Sequence, residues 1–292
     1  MMPFGSHDGL LGPVEVLPEG KWPSSKAFYS KYVRMNKPVV LQGYAKKWKV
    51  MESWKNNEGM SHYCPDEMFR AESGDAEFRT FGGYWRLGDF LRAFSSEPNF
   101  QNYLVHALCP EMQRDLPLYP VLRCRELQNM KTAQLWINAG NKTSGLHFDE
   151  YDNLLTQVDG EKRFVLVHQK HWKRLYVNND DAPRLSAIDP LRVDLEQFPK
   201  VADIKFRTAA LKPGDVLYIP QHYFHVVYSQ PGRNVAVTAW WIPEALEEGE
   251  HPKRTPARKL SLLPKIDCKE SSTPNVTWAE FDWDPPMGFG LF

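Results

Sequence analysis

The sequence predicts a mainly β fold, a sandwich or barrel with helical additions on its N-terminal side. From residue 133 onward the chain breaks into short β-type runs, at 133–137, 154–158, 163–167, 206–211, 216–219, 224–228 and 235–241. Turn signals separate several of them: Ala-Gly at 139–140, Asp-Gly at 159–160, Pro-Gly-Asp at 213–215 and Gln-Pro-Gly at 230–232. Many short strands at this spacing fit a closed or layered β architecture. Aromatic residues make up 13% of the chain, with 10 Trp, enough to fill broad inner faces.

The elements follow in order. Residues 1–22 are rich in Gly and Pro and read as surface chain. Residues 24–33 read as a helix, with Ser at its start as a cap and Phe28, Tyr29, Tyr32 and Val33 at helical spacing. Residues 38–43 read as a short buried strand ending in a turn, 45–72 as partly helical, 87–94 as an amphipathic helix and 102–108 as another strand. Between 169 and 204 lies a polar insertion anchored by apolar residues at 175–177 and 195–198. After Trp241 the chain turns acidic at 244–250, basic at 253–259 and rich in Pro, and its Trp278, Phe281, Trp283 and Phe289 are expected to dock on the body. This divides the chain into an N-terminal elaboration (1–130), a β core (131–241) and a C-terminal tail (242–292).

At 292 residues the chain can bury a substantial core, and 42% hydrophobic with 25% charged residues is ordinary for a globular protein. Thirty-six basic residues balance 36 acidic ones, so no global field draws it to nucleic acid or anionic lipid. Cys64, Cys109, Cys124 and Cys268 form no C-x-x-C pair, and four scattered thiols fit a reducing compartment. With neither a signal-like N-terminus nor an apolar run of membrane-spanning length, the expectation is a cytoplasmic or nuclear protein.

His147 and Asp149 stand two apart where the strand texture begins. In an extended chain their side chains share a face, so an imidazole and a carboxylate can converge on one cation. Downstream, His225 can supply a third ligand, with His222 as its competitor; His168 and His171 read as surface or hinge residues. Two His and one carboxylate on one face of an ion suit non-haem Fe(II) chemistry. Lys162, at the head of an apolar strand, reads in isolation as a solvated hairpin lysine. Turned inward, its ammonium would require an anionic guest, because an unpaired buried charge is costly.

Together these residues give a family resemblance. LWINAG at 135–140, His147-Phe-Asp149, Asn153, GEK at 160–162, and PGDVLYIP at 213–220 followed by His225 resemble the JmjC-domain Fe(II)- and 2-oxoglutarate-dependent oxygenases. More narrowly they resemble the small cupin-type protein hydroxylases of the asparaginyl-hydroxylase kind. The resemblance spans roughly residues 36–241. It implies a double-stranded β-helix (jelly-roll, cupin) core, with iron held by His147, Asp149 and His225. For 2-oxoglutarate it implies contacts from Lys162, Ser144, Asn153 and, through a looser match, Tyr103. Trp241 matches an aromatic lining the substrate cleft, and Glu150 and Asp152 form an acidic lip beside the site. Where the related hydroxylase carries an asparagine, this chain has Ala239, which implies altered co-substrate contacts.

The implied reaction is hydroxylation of a protein or peptide side chain, with succinate and carbon dioxide as co-products. Lysine demethylation, hydroxylation of a tRNA base and a non-enzymatic cupin-fold binding or scaffold role are the alternatives. Substrate choice is expected to lie in residues 73–86 and 169–204. The protein is expected as a monomer or homodimer.

Overall fold

Alternation along the strands sets the architecture. In the computed structural model, which describes residues 1–73, 80–97, 100–124, 129–177 and 184–242, the strands form two sheets. The smaller has the order β1 (Leu10–Pro13), β10 (Phe206–Leu211), β9 (Lys162–Val167), β12 (Phe224–Ser229). The larger begins with β2 (Glu15–Leu17), β3 (Val39–Leu41), β11 (Val216–Ile219), β8 (Asp152–Asp159) and β13 (Asn234–Ile242). It continues through β7 (Asn129–Asn138), β6 (Tyr103–Ala107), β4 (Met68–Ser73) and β5 (Thr80–Arg86).

Successive residues on these strands serve different layers, as a period of two requires. On β13, Val235, Val237, Ala239 and Trp241 enter the largest apolar cluster, while Ala236 joins the cluster between the sheets. On β11, Val216 and Tyr218 go one way and Leu217 and Ile219 the other. On β9, Phe164 and Leu166 face the space between the sheets, and Val165 and Val167 face outward onto the insertion. The two sheets thus enclose a layer that includes Leu155, Phe164, Leu166, Leu211, Leu217 and Ile219, the interior of a jelly roll.

The helices cover the other face of the large sheet. They are α1 (Ser25–Phe28), α2 (Lys49–Ser53), α3 (Asn57–Met60), α4 (Leu87–Ser96) and α5 (Pro110–Gln113). Phe28, Val50, Met60, Leu87, Phe90, Leu91 and Met112 all enter the largest cluster. The Ser24 hydroxyl caps α1 by accepting the Ala27 N–H at 3.3 Å, and the chain then widens into a π-helical turn over Tyr29–Val33. In the insertion, Leu175, Ile188, Val193 and Val201 seal the outer face of the small sheet, with Tyr176, Val177, Leu195 and Phe198 packed against them.

Several expectations are corrected. Residues 1–22 are more than surface chain: β1 pairs parallel with β10, β2 pairs parallel with β3, and Phe4 is buried. Residues 80–86, expected within a specificity loop, form the edge strand β5. Cys64 and Cys109 are joined in a disulfide, and among the described residues no cysteine is a free thiol. The expected docking of the tail and its charged runs, along with residues 178–183 of the insertion, lies outside the described residues.

His171, expected at a surface or hinge, is buried and neither ring nitrogen finds a hydrogen-bond partner. Burial, reinforced by Lys170, Arg174, His168 and Lys205, lowers its pKa to about 4. An unfolded chain takes up this proton below about pH 6.5, whereas the folded chain does so only near pH 4. Stability from this group is therefore complete above about pH 6.5 and is lost as the pH falls toward about 4, by roughly 2 kcal/mol. Urea midpoints at pH 7 and 5 should converge in His171→Gln relative to the parent; equal slopes would refute this account.

The turn from β8 into β9 carries the chain from one sheet to the other. Gly160 takes φ +70° there, and an added Cβ would lie 2.3 Å from the Arg233 carbonyl oxygen. Gly160→Ala is expected to lower stability by about 1–3 kcal/mol, read from the urea midpoint.

Candidate metal centre

An irregular extended segment at 143–149 runs along β12 and closes the site. Ser144 N–H donates to the Val227 carbonyl at 2.9 Å. His147 N–H donates to the His225 carbonyl at 3.1 Å, and His225 N–H returns the bond at 2.7 Å. That reciprocal pair puts the two histidines directly opposite each other on one face, as neighbours across an antiparallel bridge. Their ring centroids are 4.2 Å apart. Asp149, two residues beyond His147, returns to the same face.

The ligand atoms of His147, Asp149 and His225 all lie within 4.8 Å of one another. His147 Nε2 is 4.0 Å from Asp149 Oδ1, and His225 Nε2 is 3.9 Å from Asp149 Oδ2. Each Nδ1 faces a backbone carbonyl, Gly145 at 2.8 Å and Tyr223 at 3.0 Å. A carbonyl only accepts, so each Nδ1 carries a proton and each Nε2 lone pair faces the cluster. This is how metal-binding histidines are held in the required tautomer. Asp149 Oδ2 accepts from Asn153 Nδ2 and from Trp240 Nε1, both at 3.1 Å. Burial pushes the Asp149 carboxyl up, but positive charge on the His225 and His147 rings when they are protonated, together with these two hydrogen bonds, outweighs it and holds the group below its ordinary range. A deprotonated carboxylate with two oriented imidazoles is a donor set that fits a divalent ion of the iron–zinc series.

The same cavity gathers most of the other residues singled out in the sequence. Lys162 is 2% exposed; its Nζ donates to Ser229 Oγ at 2.8 Å and lies 5.9 Å from the centre of the Tyr103 ring. Ser144 lines the wall and its Oγ accepts the Val227 N–H at 2.9 Å. Asn153 is buried, with its Oδ1 lacking a partner. Tyr103 and Lys162 share the cavity with His147, Asp149 and His225, and Leu155, Phe164, Ile219 and Val227 give it apolar walls. His222 is not among the converging ligand atoms: it sits on the turn with φ +59°, packs on Phe148, and its N–H donates to the Asp149 carbonyl.

Four residues lie elsewhere. Trp241 is fully buried against Tyr218 on the helix-covered face of the large sheet, while its neighbour Trp240 lines the cavity. Asp152 does not form a lip: its Oδ1 accepts from Tyr218 OH at 2.7 Å and from Gln221 N–H at 3.0 Å, buried on the far side of β8. Glu150 is on the exposed rim, 3.6 Å from Arg184. Ala239 also points away from the cavity, into the main core, so the missing asparagine there removes no cavity contact. Alternation along β13 contained this information, since placing Val235 and Val237 in the core assigns 239 and 241 to it as well.

Sequence reasoning missed Glu72, Lys142, Ser229 and Thr238, which also line the cavity. Glu72 is 2% exposed and accepts from Arg70 at 2.9 Å, and Lys142 donates to Gln101 at 2.7 Å. Glu72 arrives on β4, in a stretch whose sequence shows no strand alternation.

Comparison with known proteins bears on the family and the fold. A family model described as "Cupin-like domain" matches residues 86–246. Jumonji C domain-containing protein 5 of Drosophila melanogaster is 26% identical over 239 residues, 77% of this chain and 59% of that protein. Lysine-specific demethylase 8 of Danio rerio is 26% identical over 253 residues, 80% of this chain and 60% of that protein. The chain thus spans about three-fifths of the length of these two relatives. Among solved structures, E. coli ycfD aligns with a TM-score of 0.51 at 16% identity, covering 76% of this chain and 54% of that one, a likeness of fold. With that family model matched over more than half of its 292 residues, the chain belongs to the cupin-like domain family.

Proposed function

We propose that the protein is an Fe(II)- and 2-oxoglutarate-dependent oxygenase that hydroxylates a protein or peptide side chain, as the small cupin-type hydroxylases do. One observation carries the reading: the His147–Asp149–His225 cluster and the buried ammonium of Lys162 open into one cavity. Three donors on one side of an ion leave coordination positions for a chelating 2-oxo acid and dioxygen. Lys162 at the far wall supplies the cation that a buried distal carboxylate needs, and Ser144 and Tyr103 add hydroxyls beside it.

When bound, iron and the 2-oxo acid supply oxidative decarboxylation coupled to insertion of one oxygen atom into a substrate C–H bond, releasing succinate and carbon dioxide. His147, Asp149 and His225 would hold the metal. Asn153 and Trp240 fix the Asp149 carboxylate, so the ligand cannot swing away. The apolar walls from Leu155, Phe164, Ile219 and Val227 keep bulk water from the reacting atoms. Among the described residues, Glu150 is paired with Arg184 at the rim and Asp152 is tied inward, so these two do not form an acidic lip for a cationic substrate.

Lysine demethylation is the second reading, favoured by the resemblance to lysine-specific demethylase 8 of Danio rerio. Oxygen insertion at an N-methyl carbon gives a hemiaminal that expels formaldehyde, so the two readings share their first step and differ in product. Anaerobic Fe(II) with 2-oxoglutarate should produce a weak visible charge-transfer band. Admitting air with a peptide pool should then release succinate, with a mass gain of one oxygen on the target and no formaldehyde. Formaldehyde in step with succinate would transfer the assignment to demethylation. Absence of the band would leave a cupin-fold binding protein.

A further inference from the structure

A second convergence of metal-ligating atoms stands apart from the first in sequence and composition. Ligand atoms of Cys64, Glu67 and Cys109 lie within 4.8 Å of one another. The turn closed by the Glu67 N–H on the Cys64 carbonyl, at 3.0 Å, folds the carboxylate back toward the sulfur. Cys64 is held there with φ +45° by a 3.0 Å hydrogen bond from its N–H to Glu111 Oε2. Cys109 is 1% exposed at the start of α5, two residues past the end of β6. His106 Nδ1 accepts the Arg70 N–H at 3.2 Å, so in the neutral ring the proton sits on Nε2, 3.5 Å from Glu67 Oε1. That places a histidine beside the carboxylate, the position from which an outer contact can orient a metal ligand.

We propose that this cluster is a redox-gated zinc site: when a cellular thiol opens the Cys64–Cys109 disulfide, the two thiolates and the Glu67 carboxylate bind zinc, with water in the fourth position. The disulfide and two thiols RSH give two protein thiols and RSSR; zinc then displaces both thiol protons, forming two Zn–S bonds and releasing two H⁺. Disulfide and ion exclude one another because only the thiolate is a ligand. Three anionic ligand groups this close are held together only with a cation among them, so zinc binding and loss of the thiol protons are coupled. The Cα atoms of the two cysteines are 6.5 Å apart. That lies within the upper part of the disulfide range, and metal binding requires the sulfurs to move apart to the edge of a zinc tetrahedron, about 3.8 Å for Zn–S bonds of about 2.3 Å. The site also ties together the entry to β4 and the exit of β6, paired strands whose opposite ends carry Glu72 and Tyr103 into the candidate cavity.

The test uses the full chain carrying His147→Ala and Asp149→Ala, so the first cluster does not compete and the outcome is independent of the oxygenase reading. After reduction with a phosphine, cobalt(II) should give an intense thiolate-to-metal band in the near ultraviolet at one ion per chain, reversed by zinc. The band should be absent before reduction and absent in Cys64→Ser, and cobalt affinity should fall at least about tenfold in Glu67→Gln. In the chain with all residues intact, zinc should protect Cys64 and Cys109 from alkylation, mapped by mass spectrometry; this arm does not depend on a variant folding. No band after reduction, a band that survives Cys64→Ser, unchanged affinity in Glu67→Gln, or alkylation indifferent to zinc would each overturn the proposal.

Discussion

His147→Ala and Asp149→Ala are each expected to reduce succinate formation by well over about a hundredfold and to erase the anaerobic charge-transfer band. The expected size follows from the geometry. Outer contacts to a metal ligand typically cost about 10- to 100-fold when removed, and loss of a ligand itself must exceed that. Asn153→Ala and Trp240→Phe supply the internal comparison, because each removes one 3.1 Å bond to Asp149 Oδ2 and leaves the donor set in place. They should fall within that smaller range. If Asp149→Ala turned over like Trp240→Phe, the carboxylate would be structural and the centre would need another ligand.

Lys162→Met should raise the KM for 2-oxoglutarate while leaving Fe(II) binding intact. Removing one partner of a buried, hydrogen-bonded charge pair costs about 2–5 kcal/mol, or roughly 30-fold to several thousand-fold in affinity. Methionine keeps the length and apolar stem of the lysine, so the loss reports charge more than packing. Lys162→Arg should recover only part of the effect, since a planar guanidinium does not fit the space of a compact ammonium donating to Ser229 Oγ at 2.8 Å. A KM that is indifferent to residue 162 would show that the co-substrate carboxylate is held elsewhere, with Lys142 the next cation on the cavity wall.

Much of the centre was legible before any coordinates. The His147-Phe-Asp149 spacing is read directly because two residues apart in an extended chain means one face, and Phe148 does turn the other way, into the outer apolar layer. Lys162 follows the same rule: Phe164 and Leu166 face the jelly-roll interior, so 162 must as well. Trp241 and Ala239 were misassigned for want of that rule. The chain between 60 and 73 misled more deeply, because Glu72 gains its place only by pairing with Tyr103 across β4 and β6.

What the sequence determined by itself was the period of each strand, hence which residues share a face, and the chemical identity of the donors. The tertiary structure decided which faces meet: that His225 lies opposite His147, that Trp240 reaches Asp149, and that Cys64 closes on Cys109. Alternation is local and is written in neighbouring residues. Strand register between distant segments is fixed only when both sheets bury their inner faces at once, and no short stretch of chain contains that condition.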